Sequence, residues 1–184
     1  MEFSEKVLED IIWDNAQSPE GRKLLQERGL IISGMMFRQV DLGCYGRADL
    51  ITVEYTPACQ IVEVVVYELK KGCINVSALM QAARYVKALK RHGLYYANIE
   101  CDIEFSICLI GDSMDTNGDF AFLYNESDNV EIYTYEFNLS GLFFRLEGKD
   151  WGRTNESLNK ETASMLTDYL KDQIKEAEND DTDK

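Results

Sequence analysis

The sequence predicts an α/β domain in which a mixed central β-sheet is flanked by helices. Three observations carry this. Apolar residues recur at helical spacing near residue 10 and again between 76 and 92. Runs rich in Val, Ile and Tyr at 47–55, 61–70 and 103–110 have strand character. No linker or internal repeat interrupts the order α, (α), β, β, β, α, β, which continues into a β-rich section and a last helix.

Taken in order, residues 3–15 place Phe3, Val7, Leu8, Ile11 and Ile12 on one stripe, with Ser4 as N-cap and Glu5 in the first turn. Ser18-Pro19-Glu20 opens a second helix that Gly29 stops. A first strand is expected within 31–42. A hairpin follows, with strands 47–55 and 61–70 around a turn at Pro57. Val76, Leu79, Met80, Ala83, Val86 and Leu89 keep helical period, and His92-Gly93 closes that helix. Residues 103–110 form a buried strand. Residues 120–124 and 130–137 are expected to pair as antiparallel strands, and 142–146 as a short strand. Met165, Leu166, Tyr169, Leu170 and Ile174 mark a final helix over 159–177. The expected organisation is one domain over 1–175 and an acidic flexible tail over 176–184.

The chain has 184 residues, enough for one domain with a sizeable core. No apolar run approaches the ~18 residues needed to span a bilayer. The start, MEFSEKVLED, is too polar and acidic for a signal peptide. Cys44, Cys59, Cys73, Cys101 and Cys108 are scattered singly, without a C-x-x-C pair, so neither a zinc ribbon nor a disulfide framework is expected. A reducing cytoplasm is the expected compartment. The net charge of −14 excludes binding of nucleic acid by bulk positive charge. Any polyanion must be held by a local basic patch or through bound cations.

The most specific stretch is the hairpin GRADLITVEYTPACQIVEVVVYELKKG, residues 46–72. Side chains alternate along a strand, so Glu68 and Lys70 share a face, and Asp49 on the neighbouring strand is placed to meet them. Two carboxylates at short range repel, and burial raises the cost. A hard divalent cation removes that cost, because Mg²⁺ favours a few carboxylate oxygens completed by water and phosphate. Lys70 beside such an ion would orient or deprotonate a water, as a base or as a fixed positive charge. The alternative is an exposed cross-face pair, but VEVVVYELK has the residues of an interior strand.

With eighteen residues between Asp49 and Glu68, then Leu69 and Lys70, a preceding glutamate helix and a following helix bearing Q-x-x-x-Y, the pattern resembles the PD-(D/E)XK nuclease superfamily. G-R-A-D-L and Y-E-L-K-K-G are most similar to its RecB-like and NucS-like branch. The resemblance covers roughly residues 4–90 and implies a restriction-endonuclease-like core, αβββαβ, with a β-rich extension and a C-terminal helix. It implies a metal-dependent nuclease acting on DNA, with Mg²⁺ or Mn²⁺ held by Asp49, Glu68 and the carbonyl of Leu69. Lys70 would be the catalytic lysine. Gln81 would place the nucleophile or the DNA, with Tyr85 one turn later. The helix-one acid would be Glu5, by its spacing to Leu8, with Glu9 as its rival. Ala48 stands where the motif has proline. Enzymes of this kind often pair as homodimers, and nothing in the sequence marks a dimer face.

Around the motif, Arg47, Lys70, Lys71, Arg84, Lys87, Lys90 and Arg91 make the middle of the chain locally basic. Arg84, Lys87 and Arg91 share a helix face along which a nucleic-acid backbone would lie, or which is simply solvated. GDSMDTNGD lacks the ligand spacing of a calcium loop. A single histidine excludes histidine-rich metal sites, and no P-loop motif is present. Tyr124, Tyr133, Tyr135, Phe137, Phe143, Phe144 and Trp151 are either base-stacking or cross-strand core residues. RNA is not excluded as substrate. The competing class is a catalytically silent acidic binding or regulatory protein on a nuclease fold. The net charge favours it, and the intact Asp49, Glu68, Lys70 and Gln81 set disfavours it.

Overall fold

The computed structural model describes residues 4–93, 101–116, 118–149 and 171. The chain divides into two compact units, Met1–Gly148 and Lys149–Lys184, and the fold described is that of the first. The expected boundary at 175, the final helix, the acidic tail and Trp151 fall outside the described residues, Lys171 apart.

Helices α1 (Glu5–Ala16) and α2 (Pro19–Glu27) are each opened by a serine cap. The hydroxyl of Ser4 accepts from the Val7 amide at 3.3 Å and that of Ser18 from Gly21 at 3.0 Å, each satisfying an orphan N–H of a first turn. A six-stranded sheet follows, in the order β1-β2-β3-β5-β7-β8. Its strands are β1 (Met35–Asp41), β2 (Arg47–Thr56), β3 (Ile61–Leu69), β5 (Asp102–Gly111), β7 (Val130–Asn138) and β8 (Gly141–Leu146). The first three pair antiparallel, β5 lies parallel to both β3 and β7, and β8 returns antiparallel. The sheet is therefore mixed, as the sequence predicts. Short β4 (Cys73–Ile74) and β6 (Ser113–Met114) form a separate parallel pair.

Strand β3 is buried along one face of its valine run and on both faces toward its end. Val62, Val64 and Val66 pack with Ala78, Ala82 and Val86 of α3 (Val76–Ala88). Tyr67 and Leu69 point the other way, into a core with Leu8, Ile12 and Leu25 of α1 and α2. Asn75 caps α3 by accepting from Ser77 at 2.9 Å. The helix ends sooner than expected, and a π-turn occupies Leu89–Gly93.

One expectation is overturned. Residues 120–124 are not a strand but lie within helix α4 (Gly118–Asn125). The sequence FAFLY has strand composition, yet Phe120 and Tyr124, four apart, are both buried while Phe122 is exposed. Pairing decides it: β7 already has β5 on one side and β8 on the other, so no edge is left for another strand. Among the aromatic candidates, Tyr124, Tyr133, Tyr135 and Phe144 are core residues, and Tyr135 pairs with Phe144 across β7 and β8. Phe137 and Phe143 remain exposed. Among the described residues, no helix is long and apolar enough to cross a membrane.

Candidate active site

The site lies where two paired strands separate. Strands β2 and β3 form a continuous ladder from Thr56↔Ile61 to Leu50↔Tyr67 and stop there. Asp49 is the next residue. Its Oδ2 accepts from the Leu69 amide at 3.0 Å, so a side-chain carboxylate takes over a backbone hydrogen bond. On its other edge β3 stays paired, through Glu68↔Leu109 and Leu69↔Ile110, and the Lys70 amide still donates to the Ile110 carbonyl at 2.8 Å. The splay opens one side of the β3 terminus and leaves the other paired.

Glu68 is 1% exposed. Its Oε1 accepts from Lys70 Nζ at 2.6 Å, and its Oε2 has no hydrogen-bond partner among the described residues. An orphaned, buried carboxylate oxygen is costly, and such atoms mark strain or a missing ligand. Lys70 Nζ also reaches Gln81 Oε1 at 3.5 Å, and Gln81 Nε2 donates to the Tyr85 hydroxyl at 2.9 Å. Glu68, Lys70, Gln81 and Tyr85 thus form one chain of hydrogen bonds from sheet to helix. Tyr85 is buried, so it supports Gln81 from behind and does not face solvent.

Both candidate acids of α1, Glu5 and Glu9, reach residues around this end of the sheet. Glu5 Oε1 accepts from the Lys71 amide at 3.0 Å and ties the first helical turn to the end of β3. Glu9 is buried with both oxygens engaged: Oε1 with Arg38 Nε at 2.5 Å and Oε2 with Gln39 Nε2 at 2.8 Å. Arg38 is held by Asp10 as well. A cleft of about 400 Å³ brings Glu5, Glu9, Arg38, Gln39, Asp49 and Leu69 together.

The electrostatics follow from this crowding. Burial raises the carboxyl of Asp49, the Leu69 amide opposes, and the charges of Glu9 and Glu5 add to the rise. Burial pushes Glu68 up to about 7, against the hydrogen bond from Lys70 and with help from Asp49. Burial works against the charge on Lys70, but its hydrogen bond to Glu68 and the nearby carboxylates prevail and its pKa is raised. Lys70 is therefore an ammonium here, while the cost of burial and mutual repulsion falls on Asp49 and Glu68.

The donor set suits a hard divalent cation in one respect and stops short in another. Among the described residues, no three His, Cys, Asp or Glu side chains are gathered as a ready cation site. Two carboxylates with an open Oε2 are nevertheless what Mg²⁺ uses when water and phosphate complete its shell.

Arg47, Lys71, Arg84 and Lys87 are all exposed. Arg84 and Lys87 line a groove of about 780 Å³ together with Tyr45, Met80 and Gln81, and no carboxylate among the described residues borders it. The loop before β2 builds its other wall. Gly46, at φ +105°, lies so close to Tyr85 that a Cβ would sit 3.2 Å from the ring. Gln39 was invisible to sequence reasoning, since it is one polar residue among several in FRQVD. Its φ of +50° is a backbone state no sequence signal marks for glutamine.

No protein-family model matches the chain, and no curated protein matches it. A solved structure described as the crystal structure of a repair endonuclease from Pyrococcus abyssi is similar to it, with 21% identity and a TM-score of 0.44. That similarity covers 74% of this chain and 48% of the endonuclease, so the chain spans about half the length of that protein.

Proposed function

We propose that this chain is a divalent-metal-dependent nuclease that hydrolyses DNA phosphodiester bonds. The observation that carries the reading is the buried Oε2 of Glu68, which has no hydrogen-bond partner among the described residues and belongs to the same site as Asp49, Lys70 and Gln81. Asp49, Glu68 and the Leu69 carbonyl would hold Mg²⁺ or Mn²⁺. When bound, the ion would polarise the phosphate and lower the pKa of a water.

The protein's own groups do the rest. Asp49 is oriented by the Leu69 amide. Lys70, fixed between Glu68 and Gln81, presents an ammonium that orients the attacking water and offsets charge developing on the phosphate. Gln81 is fixed in turn by Tyr85. Glu5 secures the turn after β3 through the Lys71 amide. Arg84 and Lys87, with Arg47 and Lys71, would take phosphates along the groove, which gives a strongly acidic protein a local place for a polyanion.

The test is Mn²⁺ binding by calorimetry alongside cleavage of a labelled oligonucleotide. Binding and cleavage in wild type, both lost in Asp49→Asn, support the reading, and a folded wild type that binds no Mn²⁺ overturns it.

A further inference from the structure

Beyond the motif residues, the geometry points to Gln39 as a positioning residue that sets the orientation of Asp49. This inference rests on the metal-site reading of Asp49 given above. In the β1–β2 ladder Arg38 pairs with Leu50 and Val40 with Ala48. Gln39 stands opposite Asp49 between them, and that one pair is missing from the ladder. Its φ is +50°, a left-handed state that is unfavourable for a non-glycine residue. Such strain persists only where the surroundings hold it, and it concentrates at functional sites.

The strained backbone turns the amide toward the cluster. Gln39 Nε2 donates to Glu9 Oε2 at 2.8 Å and reaches Asp49 Oδ1 at 3.5 Å. With the Leu69 amide on Oδ2 at 3.0 Å, Asp49 is approached on each oxygen by a neutral N–H. Neutrality matters. A cation at this position would offset the charge of Asp49 and compete with a divalent ion. Arg38, which lines the same cleft, is instead occupied by Glu9 and Asp10. Glu9 thereby has two tasks, holding Arg38 away and Gln39 in place, which accounts for a buried carboxylate on α1.

Two variants separate the amide from the backbone. Gln39→Gly relieves the left-handed strain and removes the amide. Gln39→Leu keeps bulk and strain but cannot donate. Both are titrated with Mn²⁺ alone by calorimetry, and both are melted in EDTA. Outer-shell partners of metal ligands typically carry about 10- to 100-fold in affinity, so both variants should bind Mn²⁺ that much more weakly than wild type. Gln39→Gly should still melt within about 4 °C of wild type, because lost strain offsets lost contacts. Wild-type affinity in either variant, with wild type itself binding Mn²⁺, overturns the role of Gln39 and leaves the metal site standing. An unfolded Gln39→Gly shows a purely structural residue and also overturns it. Absence of Mn²⁺ binding by wild type removes the metal-site reading and this inference with it.

Discussion

Glu68 should make the metal-free protein less stable as pH rises, and the size of the effect follows from its surroundings. Folding raises its carboxyl from 4.5 to about 7, with burial as the main cause. The native state therefore holds this proton more tightly than the unfolded chain. Stability from this group is fully present below pH 4.5 and declines as pH climbs from there. It is lost once pH passes about 7. The interval corresponds to on the order of 3 kcal/mol. For a chain of this length that is roughly 6–12 °C in melting temperature. Asp49 is raised for the same reason and adds a change of the same sign. Glu147, held low by Thr134 and Arg145 against its burial, acts in the opposite sense. Self-repulsion in a chain of net charge −14 also grows with pH, so wild type by itself is no clean measure. Glu68→Gln isolates the term, because glutamine resembles the protonated acid at every pH. Urea unfolding in EDTA should give equal stabilities for the two proteins at about pH 4 and a mutant advantage of about 3 kcal/mol at about pH 8. Addition of Mg²⁺ at the higher pH should stabilise wild type and not the mutant. Parallel pH profiles for the two proteins would refute the argument that Glu68 is a desolvated carboxylate awaiting a cation.

Two further outcomes follow from the groove. Arg84→Ala with Lys87→Ala should weaken duplex DNA binding for every sequence and flatten the dependence of log K on log salt by about 1.8, near 0.9 for each lost phosphate contact; fluorescence anisotropy across a salt series measures this, with catalysis blocked by EDTA. Gly46→Ala should destabilise the fold by about 1–2 kcal/mol, since its φ of +105° strains any side chain and a Cβ would crowd the Tyr85 ring at 3.2 Å; thermal melting checks it, and cleavage should fall with it because Tyr85 supports Gln81.

Much of the site was legible because charge is rare where it stands. Glu68 and Lys70 at the end of VEVVVYELK announce a buried cluster, and the Ser4 cap fixes the helix that carries Glu5. Three things were not legible. The choice between Glu5 and Glu9 depends on hydrogen bonds to Lys71, Arg38 and Gln39, contacts between residues 29 to 66 positions apart. The left-handed Gln39 leaves no trace in residue type. The α4 helix was misread because FAFLY has strand propensity, and only the filled edges of β7 decide against a strand. Local preference speaks for elements; it does not count the sheet edges available to them.

The most direct measurement is cleavage of a panel of linear and circular duplex, single-stranded and branched DNA, and RNA. Wild type is compared with Lys70→Ala in Mg²⁺, Mn²⁺ or EDTA, with folding of both confirmed by circular dichroism. Metal-dependent cutting of DNA by wild type, reduced about 100-fold or more in Lys70→Ala, is the predicted result. No cutting of any substrate by folded wild type, or undiminished cutting by Lys70→Ala, would contradict the account; the first outcome would leave an acidic binding protein on this fold as the reading its charge supports.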